Sequence, residues 1–200
     1  MRDAALAPHE ADTRWRHLPN LLSTLRVLLA LPVALAIGYR DYPAAVILVA
    51  VSALTDALDG FLARRFHWQS RLGAALDPLA DKLLLVGGFI ALTYVGAVPL
   101  LLTLLVLARD VVIVAGALAW RALIGPLVAR PSLLSKLNTL VQLAFVLAVL
   151  VSLAWTPATR VLSLRGPAWA VGALTTASGL DYVLRWSTRA RRSLRSRVAR

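Results

Sequence analysis

Apolar runs long enough to cross a bilayer recur along most of the chain, and they restrict its fold more than any other feature. A helix of about 20 apolar residues spans the hydrocarbon core of a membrane. Hydrophobic residues make up 59% of the 200 residues, whereas soluble domains are about 45–50% apolar. We therefore expect an all-α, polytopic integral membrane protein with a single domain.

Six transmembrane helices are predicted from the apolar runs and the breaks between them. They cover approximately residues 20–39, 42–65, 71–95, 98–121, 132–155 and 167–188.

The six segments divide the chain into three predicted regions. Residues 1–19 form a cytosolic N-terminal arm, residues 20–188 form the membrane domain, and residues 189–200 form a basic cytosolic tail.

The distribution of positive charge predicts the orientation. Lys and Arg number 22 against 10 Asp and Glu, a net charge of +12. The basic residues gather between spans 2 and 3, between spans 4 and 5, and after span 6, which places both termini in the cytoplasm. A basic chain can also bind nucleic acid, but this distribution is typical of membrane proteins, and we predict no nucleic-acid partner. The tail is expected on anionic lipid headgroups.

The Arg-, Ala- and Leu-rich composition favours a bacterial protein of the inner membrane.

Four aspartates lie where spans 2 and 3 meet: Asp56, Asp59, Asp77 and Asp81. The first two are three residues apart and the last two are four apart, so each pair shares a helix face. The short link makes spans 2 and 3 antiparallel neighbours, and we expect the two pairs to face each other. Charged side chains within a span are costly and by default functional.

Clustered carboxylates repel one another unless protons or cations neutralise them. The chain has no cysteine, and oxygen ligands suit a hard cation such as Mg²⁺, Mn²⁺ or Ca²⁺. Two such ions close together can clamp a phosphoryl group during a displacement. A proton relay or a cation-transport site is the alternative interpretation of the same acids.

Small and cationic residues beside the acids suit a phosphate-bearing substrate. Gly60 and Gly73 can let a ligand approach the backbone, or can only let helices pack closely. Ala63 is small and shares a face with Asp59. Arg64 can hold a phosphate through two hydrogen bonds, which a cation transporter does not need.

Eight of these residues, at fixed spacing, resemble the signature of the CDP-alcohol phosphatidyltransferase family. The matching positions are Asp56, Asp59, Gly60, Ala63, Arg64, Gly73, Asp77 and Asp81. The resemblance covers roughly residues 18–188. It implies a homodimeric membrane enzyme of six helices that moves a phosphatidyl group from a CDP-linked donor to an alcohol and releases CMP.

The same resemblance implies residue roles. Four aspartates would bind two divalent cations, Mg²⁺ or Mn²⁺: Asp56, Asp59, Asp77 and Asp81. Asp81 would also act as the general base for the attacking hydroxyl. The CDP part of the donor would contact Asp56, Gly60, Ala63, Arg64 and Gly73.

The flanking segments bear on the acceptor alcohol. "ARDVVIVAG" (108–116) and "SKLNTLVQL" (135–143) look closer to family members that join CDP-diacylglycerol to phosphatidylglycerol, making cardiolipin. Members that use glycerol 3-phosphate are the alternative. Four residues are candidates for binding the acceptor or a phosphate: Arg109, Lys136, Asn20 and Arg26. An ion pair between Arg109 and Asp110 is the alternative for Arg109, and Asp181 and Arg185 are expected to pair with each other.

Overall fold

The described part of the chain folds into six α-helices. The structure is a computed structural model, and it describes residues 18–66, 71–123, 125, 132–155 and 164–198. The helices are α1 (Leu18–Gly38), α2 (Tyr42–Phe66), α3 (Arg71–Tyr94), α4 (Leu100–Leu123), α5 (Leu133–Trp155) and α6 (Arg165–Val198). The all-α class is confirmed, and the helix ends lie within two residues of the predicted ones except at the end of α6. That helix continues from the predicted end at residue 188 to Val198.

Local capping explains where several helices begin and end. Asp41 Oδ1 accepts a hydrogen bond from the Ala44 amide (3.2 Å) at the start of α2. Ser132 Oγ accepts one from the Ser135 amide (3.1 Å) at the start of α5. Both residue types favour the N-cap position because they satisfy an amide that has no partner in the helix. Gly96, at φ +80°, ends α3 in the left-handed conformation that glycine adopts without strain.

Successive helices run in opposite directions. On α1 and α3, Arg26 lies near Asp81, and further along both helices Ala30 and Ala34 lie against Gly87. Helices α4 and α6 likewise run parallel, since Arg109 contacts Ser178 and Ile113 contacts Tyr182. The bundle therefore has one end formed by the beginnings of α1, α3 and α5 and the ends of α2, α4 and α6.

Helix α1 lies between α2 and α3. We expected α2 and α3 to pack directly side by side, but within the described residues both pack chiefly against α1. The reason is that α1 supplies a buried cation, Arg26, that contacts acids on both neighbours. Asp56 of α2 and Asp81 of α3 are therefore brought together by their shared contact with Arg26 of α1, and not by direct packing of α2 on α3.

The two ends of the bundle differ in polarity. At one end, Phe89 of α3 and Phe145 of α5 stack with ring centroids 6.3 Å apart. They belong to a buried apolar core that includes Val33, Ile37, Val49, Leu92, Leu102, Val106, Val149, Leu150 and Val171. At the other end most of the buried polar side chains gather: Ser23, Arg26, Ser52, Thr55, Arg109, Asn138, Gln142, Thr175 and Ser178.

Three helices of the described residues are long and apolar enough to cross a membrane. The qualifying segments are Leu21–Gly38, Leu100–Ala122 and Leu133–Trp155, and α2 has a shorter apolar stretch, Tyr42–Leu58. Large apolar side chains such as Leu28 and Leu140 are exposed on the outside of the bundle. Such a surface is stable in lipid and not in water, so the chain is a membrane protein.

A chain of buried side-chain hydrogen bonds joins α5 to α6 at the polar end. Thr175 Oγ1 donates to Asn138 Oδ1 (3.0 Å) and accepts from Gln142 Nε2 (3.0 Å). All three side chains are buried. The Thr175 hydroxyl therefore gives a partner to the side-chain oxygen of Asn138 and to the amide nitrogen of Gln142, whereas Asn138 Nδ2 is buried with no partner among the described residues.

Replacing this hydroxyl tests its contribution. Thr175→Val keeps the shape but leaves Gln142 and Asn138 without their shared partner, which we expect to cost about 1–2 kcal/mol of unfolding free energy. Thr176→Val is the matched control because Thr176 is exposed and bonds only the Gly172 carbonyl of its own helix. Thermal unfolding in detergent measures both. An equal loss of unfolding free energy in the two variants would contradict a stabilising role for the Thr175 hydrogen bonds.

Candidate active site

The polar end of the bundle encloses a cavity of about 700 Å³. Its walls come from five helices, α1 to α5, and they divide into an acidic side, a cationic side and an aliphatic side. Side chains brought together from distant parts of a chain around a large concavity are the usual setting of a binding site.

The acidic side is built on Arg26 of α1. One guanidinium nitrogen, Nη1, lies 2.7 Å from Asp56 Oδ1 of α2 and 2.8 Å from Asp81 Oδ1 of α3. The Arg26 side chain is only 1% exposed, whereas the Asp56 and Asp81 side chains are 54% and 42% exposed. The arginine is therefore sealed within the bundle, while both carboxylates remain accessible from the cavity.

The other signature residues lie on the same two helices. Asp59, Gly60, Ala63 and Arg64 belong to α2, and Gly73 and Asp77 belong to α3. Their side chains lie outside the described part of the structure, as does that of Asn20 on α1. Their expected roles remain predictions.

The described acids suit a cation shared between two helices. Asp56 and Asp81 already converge on one positively charged nitrogen atom, and hard divalent ions prefer carboxylate oxygens of this kind. Among the described residues no group of three or more Asp, Glu, His or Cys side chains comes together. A complete ligand set would need the side chains of Asp59 and Asp77 as well.

The cationic side of the cavity is centred on Arg109 of α4. Its Nη1 donates to Asp110 Oδ1 (2.8 Å), and its Nη2 donates to Ser135 Oγ of α5 and to Ser178 Oγ of α6 (3.3 Å). The residue is 8% exposed. These three partners hold the guanidinium in one orientation, and the ion pair with Asp110 that was considered as the alternative for Arg109 is present.

Two lysines extend the positive charge. Lys82 Nζ lies 3.5 Å from Asp110 Oδ1, so Asp110 faces both Lys82 and Arg109. Lys136 is exposed and lines the cavity from the first turns of α5. One carboxylate therefore partly offsets two cations, and Lys136 adds a third positive charge beside them.

Several buried polar atoms at the cavity have no hydrogen-bond partner within the described structure. One is Lys82 Nζ, which is ion-paired with Asp110 at 3.5 Å. Others are Ser52 Oγ of α2 and Arg109 Nε. Buried polar groups are nearly always satisfied, so exceptions need an explanation. Because these residues line the cavity, a polar ligand bound there would supply the missing partners.

The aliphatic side lies between α4 and α5. It includes Ile113 of α4 and Leu140 and Leu143 of α5, together with Leu84 and Leu85 of α3. Leu140 is 63% exposed, so this wall continues onto the outer surface of the bundle. The cavity thus joins a charged interior to a lipid-facing surface.

The structure brings five of the candidates predicted from sequence into one cavity: Arg26, Asp56, Asp81, Arg109 and Lys136. The described partners of Arg26 are the two carboxylates. The sequence analysis gave no site role to Ser52, Lys82, Ser135 or Ser178. Ser52 precedes Asp56 by four residues and so shares its helix face, a signal that could have identified it. Ser178 had no such signal, because it lies 69 positions away from Arg109 in the sequence.

The predicted pair of Asp181 and Arg185 is confirmed at 2.6 Å.

Known proteins similar to this chain synthesise phospholipids. It is 38% identical over 162 residues to the protein named cardiolipin synthase (CMP-forming) of Rattus norvegicus, covering 73% of this chain and 53% of the relative. The human protein of that name is 36% identical over 73% of this chain and 54% of its own length. CDP-diacylglycerol–glycerol-3-phosphate 3-phosphatidyltransferase of Aquifex aeolicus is 32% identical over 62% of this chain and 70% of the relative.

The chain spans about half the length of the two mammalian relatives. The family model described as CDP-alcohol phosphatidyltransferase matches residues 16–180. This range contains all eight signature positions and every residue that lines the cavity. The resemblance inferred from the aspartate spacing is confirmed, and the chain belongs to the CDP-alcohol phosphatidyltransferase family.

Proposed function

We propose that this protein transfers a phosphatidyl group from CDP-diacylglycerol to phosphatidylglycerol, forming cardiolipin and CMP. The observation that carries the proposal is the cavity in which Asp56 and Asp81, both signature residues, face Arg109 and Lys136. A phosphate-bearing substrate held between these sides meets a carboxylate base on one side and cations on the other. The relatives named for cardiolipin and phosphatidylglycerophosphate synthesis support this chemistry.

The chain is proposed to cross the membrane six times, with both termini and the polar end of the bundle in the cytoplasm. Arg64 and Arg65 lie at the end of α2 and Arg71 at the start of α3, at the same end as the cavity, and basic residues favour the cytoplasmic side. We propose the bacterial inner membrane as its location and a homodimer as its assembly. Membership of a transferase family removes the main support for the alternative of a cation or proton transporter.

Divalent cations, Mg²⁺ or Mn²⁺, are proposed at Asp56, Asp59, Asp77 and Asp81. When bound, two such ions would offset the charge of the donor pyrophosphate and make CMP a better leaving group. The convergence of Asp56 and Asp81 on one cation supports this assignment. Gly60, Ala63, Arg64 and Gly73, with Asp56, are proposed to receive the CDP moiety.

Asp81 is proposed as the general base. The acceptor hydroxyl loses its proton to the Asp81 carboxylate as its oxygen attacks the phosphorus that bears diacylglycerol. A P–O bond to the acceptor forms, the P–O bond to CMP breaks, and CMP leaves with the electron pair. Asp81 suits this task because its side chain is 42% exposed to the cavity while Arg26 holds its Oδ1.

Two features of the cavity favour phosphatidylglycerol as the acceptor. Its phosphodiester has one negative charge, and the positive charge of Arg109 and Lys82 is already partly offset by Asp110. Its acyl chains need a route to lipid, which the aliphatic side between α4 and α5 supplies through Ile113 and the exposed Leu140. Glycerol 3-phosphate has about two charges near neutral pH and arrives from water, so a denser cationic cluster would suit it better.

Glycerol 3-phosphate remains the second candidate acceptor. The observation in its favour is the similarity to the Aquifex aeolicus enzyme named for that substrate, of which this chain covers 70%. The two reactions share the donor and CMP, so only the lipid product separates them.

Metal dependence is the first test. We expect CMP release from CDP-diacylglycerol and phosphatidylglycerol to stop in excess chelator and to return with Mg²⁺ or Mn²⁺, because four carboxylates need cations to bind an anionic donor. The measurement is CMP formation by the purified protein in detergent. Full activity in chelator would contradict the proposed metal site.

Replacing Asp81 tests the general base. Asp81→Asn keeps an oxygen that can accept from Arg26 but cannot take the proton, so we expect turnover to fall by about 10²–10⁴-fold while part of the donor binding remains. Asp56→Asn should instead weaken metal and donor binding together. Asp181→Asn is the control, since Asp181 pairs with Arg185 on α6 away from the cavity. A near wild-type rate for Asp81→Asn would show that the base is misassigned.

The acceptor is tested by offering the two alcohols in parallel with CDP-diacylglycerol. We expect cardiolipin from phosphatidylglycerol, and we expect Lys136→Ala to raise the KM for phosphatidylglycerol roughly tenfold because a charge-assisted contact is lost. Arg121→Ala is the control: Arg121 is an exposed cation near the end of α4 and does not line the cavity. A lipid extract with product only from glycerol 3-phosphate would reverse the assignment.

A further inference from the structure

Arg26 contacts oxygen atoms of two proposed metal ligands. Its Nη1 lies within 2.8 Å of one oxygen atom of Asp56 and one of Asp81. These are the two described members of the proposed metal-ligand set. The carboxylates belong to different helices, and Arg26 belongs to a third.

The contact has a clear electrostatic origin. Two carboxylates held close together repel each other, and a cation sealed inside a membrane bundle is costly unless it is paired. The Arg26 side chain is 1% exposed, so its charge cannot reach solvent. The contact therefore offsets both the repulsion between Asp56 and Asp81 and the cost of burying the charge of Arg26.

Metal binding would change this balance. A divalent ion needs lone pairs of the same two carboxylates, and its charge is repelled by a guanidinium in contact with them. We propose that Arg26 is a resident counter-cation that pairs with Asp56 and Asp81 before metal loading and competes with the divalent ion for them. The proposal rests on the proposed function, because it takes these aspartates as metal ligands.

The competition predicts an effect opposite to that of a residue that only positions ligands. Groups that orient metal ligands typically weaken metal affinity about 10–100-fold when they are removed. Removing a competing cation should tighten it. The direction of the change in metal affinity therefore separates competition from simple support.

The decisive variant is Arg26→Met, which keeps much of the length of the side chain and loses the charge. Mn²⁺ binding to the full chain in detergent is measured from the free-ion signal in electron paramagnetic resonance, without any substrate. We expect the dissociation constant for Mn²⁺ to fall roughly tenfold relative to the wild type, a shift of the size seen when groups around a metal site are changed. An unchanged or higher constant would overturn the inference.

Two further variants keep the test sharp. Arg26→Lys retains the charge, so its Mn²⁺ affinity should stay close to the wild-type value. Arg109→Met removes another buried arginine of the same cavity, whose acidic partner is Asp110, and it should leave Mn²⁺ affinity near that of the wild type. Tighter binding in all three variants would overturn competition by Arg26, since it would reflect a general change of the cavity.

Thermal unfolding supplies a second readout if Arg26→Met is unstable. In chelator we expect a lower Tm than for the wild type, because Asp56 and Asp81 are left without their counter-cation. Saturating Mn²⁺ should then raise the Tm of the variant more than that of the wild type. If the Tm of Arg26→Met is lower than that of the wild type by the same amount with and without Mn²⁺, the role of Arg26 is structural only and the inference is overturned.

The wild-type measurement separates the two levels of the proposal. If the wild type binds no Mn²⁺, the metal site of the proposed function fails and the inference falls with it. If the wild type binds Mn²⁺ and Arg26→Met does so no more tightly, only the role of Arg26 is overturned.

Discussion

One buried guanidinium, shared by carboxylates from two other helices, organises the functional end of this protein. Arg26 joins α1 to Asp56 of α2 and Asp81 of α3, and these helices pack on α1 for much of its length. In a bundle whose outer surface is aliphatic, an unpaired charge would be prohibitively costly. The need to pair charges therefore decides which helices meet at this end, and it brings both carboxylates together at one wall of the cavity.

The remaining polar side chains follow the same rule on the opposite wall. Arg109 is held by Asp110, Ser135 and Ser178, which belong to α4, α5 and α6, and Thr175 satisfies Asn138 and Gln142 nearby. Hydrogen bonds of this kind keep polar groups tolerable in a membrane interior. The other end of the bundle, around Phe89 and Phe145, is largely apolar, and its buried Thr103 hydroxyl contacts the Thr93 hydroxyl (2.6 Å) and the Phe89 carbonyl (3.4 Å). The bundle therefore has an apolar core at one end and a polar cavity at the other.

Sequence patterns predicted the helices and the two aspartates on the acidic side of the cavity. Asp56 and Asp81 were expected at a common site because their spacing to Asp59 and Asp77 places each pair on one helix face, and the cavity contains both. Arg26 was expected to bind phosphate, and its described contacts are instead with the carboxylates. Lys82 was overlooked because neighbours in a helix point in different directions, yet its long side chain reaches Asp110. Ser178 and Ser135 could not be found, since nothing local marks a serine as the partner of a distant arginine.

The sequence by itself determined the six helices, the membrane environment and the family. Apolar run length, capping residues such as Asp41 and Ser132, and the spacing of the aspartates are all local features, and local features suffice for them. The tertiary structure decided that α1 lies between α2 and α3, that Arg26 pairs with Asp56 and Asp81, and that an aliphatic wall connects the cavity to the lipid-facing surface. These outcomes depend on which buried charge finds which partner. Arg26 and Asp81 lie 55 positions apart along the chain, and only the packing of whole helices brings such groups within hydrogen-bonding distance.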